Sequence, residues 1–144
     1  MNRGLVNSLA LTHRPFRQAV VFRWVRDTFG RISDDRDERA RRVLEEAIEL
    51  VQAAGLSQRD ASAMVAHVYS RPPGDVRQEV GGLGITLLAF AHHREINADA
   101  EEVNEFLRVI DTPVSFFRKR QNAKAAAGIA GYVDVPMKRA SDRG

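Results

Sequence analysis

The chain has 144 residues, 44% of them hydrophobic, which is enough for one domain with a core and too few for two comfortable ones. It contains no cysteine, so disulfides, thiolate metal sites and cysteine nucleophiles are excluded. Its 22 basic residues outnumber the 19 acidic ones to give a net charge of +3, but the two signs are interspersed, which argues against the concentrated basic stripe of a nucleic-acid surface.

Residues 1–15 show no clear periodicity, and Pro15 favours extended backbone leading into the first helix, so this stretch reads as an N-terminal arm. Its apolar residues are interrupted by Thr12, His13 and Arg14 before reaching signal-peptide length, and no later run approaches ~18 apolar residues. The expectation is a soluble, cytoplasmic protein with no membrane partner. From Phe16 to Phe29, apolar residues recur at three- and four-residue spacing with arginines between them, and Gly30 follows as a C-terminal cap. The aromatic side chains of this first helix, Trp24 among them, read as core or dimer contacts.

The polar stretch Ser33 to Glu38 supplies N-cap and first-turn acids for a second helix running to about Ala54, where Gly55 closes it. Ser57-Gln58-Arg59-Asp60 resembles a capping box and opens a third helix, which Pro72-Pro73-Gly74 ends. A fourth helix, about Val76 to His93, is apolar on nearly every side after Gln78 and is expected to be the buried central element. Its Gly81, Gly82 and Gly84 each cost about 1 kcal/mol against alanine, which implies close approach of a helix or ligand. Asn97 and Asp99 cap a fifth helix, and Thr112-Pro113 opens a last one that fades at Gly128 to Gly131. No stretch alternates with period two, so the chain reads as all-α, a bundle of about five to six helices over residues 16–127, with 128–144 a mobile tail.

Carboxylates carry the chemistry. Glu45, Glu46 and Glu49 crowd one side of the second helix and repel unless a cation or basic partner lies among them. Arg41 and Arg42, each four residues before a glutamate, offer the plain alternative of a solvated, ion-paired face. Glu79 falls within about 40° of the stripe made by Val76, Val80, Leu83, Leu87 and Phe90, so it is expected to face the interior and to need neutralisation, hydrogen bonds or a metal. Asp75 lies one turn earlier on the same edge. Hard divalent cations such as Mg²⁺ favour such oxygen donors. His67, His92 and His93 read as packing and helix-end residues.

The pattern Glu46-x-x-Glu49 on one helix, followed by Glu79 at the start of a later apolar one, resembles the all-α nucleoside triphosphate pyrophosphohydrolases of the MazG-like superfamily. The strings Leu44 to Ala53 and Gln78 to Gly82 look especially like its phage and bacterial branch, and the resemblance runs from about Phe22 to Lys124. It implies Mg²⁺-dependent cleavage of (d)NTP to (d)NMP and pyrophosphate, as in nucleotide-pool house-cleaning, with Mn²⁺ as the substitute ion. By position it makes Glu46, Glu49 and Glu79 metal ligands and Glu45 a ligand or water-orienting residue. Where the family has an aspartate this chain has Gly82, with Asp75 the candidate replacement. Phosphate contacts fall to Arg108, Arg118, Lys119 and Lys124 by position. Apolar surface on the first and fourth helices, together with the resemblance, implies a homodimer or homotetramer. The competing reading is a catalytically silent helical module that binds nucleotide or a protein partner, which the glycine at position 82 favours. Nucleic-acid binding through Arg118 to Lys124 is the poorest of the three.

Overall fold

The computed structural model describes residues 8–134. They form seven α-helices: α1 (Ser8–Thr12), α2 (Arg14–Phe29), α3 (Arg36–Ala53), α4 (Gln58–Tyr69), α5 (Val76–His93), α6 (Ala98–Asp111) and α7 (Val114–Ala126). A 3₁₀ turn, Arg31–Asp34, joins α2 to α3. Among the described residues there is no strand, only an isolated bridge between Gly30 and Asp134, so the chain is all-α. No described helix is long and apolar enough to cross a membrane. The structure falls into two compact units: one holds the chain up to Val43 and from Phe106 onward, the other Leu44–Glu105.

Most boundaries follow from local chemistry. Ser57 caps α4, its hydroxyl accepting from the Asp60 N–H at 3.2 Å. Asn97 does the same for α6 through the Ala100 N–H at 3.1 Å. Gly55, at φ +94°, ends the turn after α3 in a conformation that other residues resist, and Gly128, at φ +76°, does so after α7.

Two boundaries differ from expectation. Part of the stretch read as an arm is helical: α1 spans Ser8–Thr12, and α2 begins at Arg14 with Pro15 in its first turn, where a missing N–H costs nothing. The His13 side chain completes this start by accepting from the Phe16 N–H. Residues 1–7 lie outside the described range, as do residues 135–144 of the expected tail. Pro113 stands at the N-cap of α7 rather than within its first turn.

The first unit packs α1 and α7 against α2. Trp24 is buried and meets Phe29 and Phe117 edge to face, with ring centroids 5.9 and 5.1 Å away. Around this aromatic centre the interior is polar. Arg17, 1% exposed, donates from Nη1 to the carbonyls of Ala10 and Leu11, satisfying the end of α1.

The second unit contradicts the expectation of a buried central helix. Apart from Ala91, no residue of α5 is buried: Val76 is 76% exposed, Val80 69%, Leu83 50% and Ile85 70%. Apolarity on every side of a helix marks a need for burial, which the described residues of the second unit do not meet by themselves.

Candidate functional site

The carboxylates singled out from the sequence all belong to the second unit, on two helices. Glu45, Glu46 and Glu49 lie in the second half of α3; Glu45 is half-buried, and Glu46 and Glu49 are exposed. Glu45 and Glu46 both have interaction partners. The Arg42 Nε lies 3.2 Å from Glu38 Oε1, and its Nη2 donates to the Ile129 carbonyl at 3.1 Å.

Asp75 is the N-cap of α5. Its Oδ1 accepts from the N–H groups of Arg77 and Gln78 at 3.0 and 3.1 Å, which ties this carboxylate to the helix terminus. Glu79, expected to face the interior, is exposed. The stripe it borders is itself uncovered, so the helix geometry was read correctly and the burial was not. The Glu79 carboxylate folds back over Gly74, where an added Cβ would overlap Oε1. On its other side a Cβ at Gly82 would stand 4.0 Å from Glu79 Oε2. An aspartate at position 82 would therefore sit beside Glu79 and form the kind of carboxylate pair that draws a cation; glycine leaves that flank open.

Among the described residues no group of three or more His, Asp or Glu side chains converges closely enough to hold a metal ion. The donor chemistry of Glu46, Glu49, Glu79 and Asp75 suits Mg²⁺, being all hard oxygen. Their placement in one chain does not assemble a ligand set.

The basic candidates lie in the first unit. Arg118 is engaged structurally: Nε donates to the Thr28 carbonyl at 2.7 Å and Nη2 to that of Asp27 at 3.3 Å, closing the C-terminal end of α2. Lys124 is half-buried, and Lys124 and Arg108 both have interaction partners. Lys119 is exposed on α7. A groove of about 630 Å³ in the same unit, beside α2, is lined by Phe22, Arg23, Arg26 and Arg31 together with Asp27, Asp34 and Asp134. Its charges pair within it, Arg26 with Asp34 and Arg31 with Asp134, both at 3.8 Å.

One residue of consequence escaped the sequence reading. Glu38, taken there as a first-turn acid, is 0% exposed. Its Oε1 accepts from Gln121 Nε2 at 2.9 Å and its Oε2 from the Gly131 N–H at 2.9 Å, while Arg42 and Arg41 lie 3.2 and 4.0 Å from the carboxylate. Burial disfavours the charge, but the bonds from Gln121 and Gly131 and the positive charges of Arg42 and Arg39 outweigh it and hold the carboxyl below its ordinary pKa. Gln121 Nε2 also donates to the Gly131 carbonyl at 2.8 Å, and the Val133 N–H donates to Asn122 at 3.1 Å. Residues 129–134, expected to be mobile, are thus strapped to α3 and α7. A Cβ at Gly131 would run into the Ile32 side chain, which would have to shift. The Glu38 to Arg42 spacing was a visible signal; its partners on α7 and beyond were not.

Compared with family models, curated proteins and solved structures, the chain matches none of them.

Proposed function

We propose that the protein is a Mg²⁺-dependent nucleoside triphosphate pyrophosphohydrolase, converting a (d)NTP and water to a (d)NMP and pyrophosphate in nucleotide-pool house-cleaning. The observation that carries this reading is the placement of Glu79, which is exposed at the start of α5, in the same unit as Glu45, Glu46 and Glu49, with position 82 next to its carboxylate. That is the helix pairing on which the MazG-like resemblance rests. In this reading Glu46, Glu49 and Glu79 hold the ion, with Asp75 the candidate fourth oxygen donor and Glu45 orienting the water. When bound, Mg²⁺, or Mn²⁺ in its place, offsets triphosphate charge and lowers the pKa of water. Among the basic candidates, Arg118 already serves the end of α2, while Lys119 is exposed.

A second reading, a catalytically silent module that binds nucleotide, is favoured by the glycine at position 82 and by the lack of a converging acidic triad among the described residues. Pyrophosphate release from a panel of dNTPs, with and without Mg²⁺, separates the two. Metal-dependent turnover that falls by about 100-fold or more in Glu49→Gln supports the hydrolase. Folded protein that binds a dNTP in calorimetry and releases no pyrophosphate supports the silent module.

A further inference from the structure

We propose that α2 and α7 form a docking surface for single-stranded nucleic acid. The inference does not rest on the hydrolase reading, whose carboxylates belong to the other unit. Over the whole chain the two signs of charge nearly cancel, but the structure sorts them. Among the described residues the first unit carries 14 basic side chains and 7 acidic ones, a net of +7, while the second carries 4 and 11, a net of −7. The excess gathers on two helices that pack against each other: α2 and α7 hold eight Arg and Lys residues between them and a single acid, Asp27. Basic residues concentrated along helices are the electrostatic footprint of a polyanionic partner.

Some of these charges serve the fold, since Arg17 and Arg118 donate to carbonyls inside the unit. Others face water. Arg23, Lys119 and Arg120 are exposed, and none has a hydrogen-bond or ion-pair partner among the described residues. Arg26 is paired with Asp34 at 3.8 Å, but both side chains are exposed, and such a pair contributes little and yields readily to a phosphate.

The kind of polyanion follows from the aromatic residues. Phe22, 44% exposed, lines one groove of α2 together with Arg23 and Arg26. On α7, Phe116 is 47% exposed and shares a face with Lys119 and Arg120, three and four residues on. The Arg120 guanidinium lies over the Phe116 ring, 5.7 Å from its centroid. An uncovered ring flanked by cations suits an unstacked nucleotide, the ring taking the base and the cations its phosphates. A duplex, whose bases stack on one another, leaves the rings without a role.

Fluorescence anisotropy of a labelled oligo(dT) or oligo(rU) strand of about 16 nucleotides, titrated with the full chain, tests the proposal. The native chain is expected to bind the strand more tightly than it binds a duplex of the same length or vesicles of anionic phospholipid, and to lose about 10-fold or more in affinity between roughly 50 and 200 mM salt. Phe116→Ala is expected to weaken strand binding about 5-fold or more with the salt dependence unchanged. Because Phe116 also meets Phe117, Phe22→Ala, outside that aromatic cluster, serves as the second variant and should act alike. Arg120→Gln should lower both the affinity and the steepness of the salt dependence, the latter by about 0.7 in the log–log slope. Absence of strand binding at the lower salt, tighter binding to the duplex or the vesicles, or native affinity in both phenylalanine variants overturns the proposal.

Discussion

The two units handle burial in opposite ways. In the first, five of the buried residues are polar: Arg17, Thr28, Ser33, Glu38 and Gln121 lie inside with Trp24, and the hydrogen bonds of Glu38 to Gln121 and Gly131 bind elements far apart in sequence. In the second, large apolar side chains line α3, α4 and α5, and they remain at the surface. Polar burial is directional and works only when every partner is present, so it defines one arrangement within one chain. Apolar surface is non-directional and can be covered by whatever fits. The first unit is therefore specified from within, while the second leaves its apolar demand unmet by its own described residues.

The sharpest way to break the contrast is at Glu38. Glu38→Ala leaves Gln121 and the Gly131 N–H unpaired and the arginines without their counter-charge, at a cost of about 3–5 kcal/mol. Denaturant unfolding should show that loss, and hydrogen exchange should place it in α7 and residues 129–134, with the amides of α4 little changed. Equal loss of protection in α4 would mean that the units do not differ as described.

Acid offers a gentler version. A carboxylate whose folded pKa lies below its unfolded value contributes stability that is complete above the unfolded value and is lost as pH falls through the folded one. For Glu38 the loss begins below the ordinary value of 4.5. Stability measured downward from there should fall more steeply in the native chain than in Glu38→Gln, whose side chain cannot titrate.

The smallest effect sharpens the other half of the comparison. Gly81→Ala should raise the intrinsic helicity of α5 by up to about 1 kcal/mol. Nothing lies within 4 Å of a Cβ at that position, so the gain should appear as a higher thermal midpoint of the far-ultraviolet dichroism. A lower midpoint would mean that another backbone comes close to Gly81.

Much of the helix layout was legible because its determinants are local. Ser57, Asn97, Gly30 and Gly55 each act within a turn of their own position, and α5 ends where the sequence placed it. Burial was not legible, because it depends on what arrives from elsewhere. Asp35 and Glu38 look alike as acids at a helix start, yet Asp35 caps it, accepting from the Glu38 N–H at 2.8 Å, while the Glu38 carboxylate is enclosed by α7 and Gly131. The apolar run of α5 states a demand for cover without saying which chain provides it. For the candidate site, the helical addresses of Glu49 and Glu79 could be read, but whether their carboxylates converge depends on how helices pack, which spacing along a sequence does not encode.

Trp24 has a consequence of a different kind. It is the chain's only tryptophan, and it lies in the first unit between Phe29 and Phe117. Its fluorescence is a native reporter of that unit alone, whereas far-ultraviolet circular dichroism sums the helices of both. A single thermal ramp followed in both channels can resolve two transitions without a label. Glu38→Ala should lower the midpoint of the Trp24 emission while the dichroism of the second unit keeps its own.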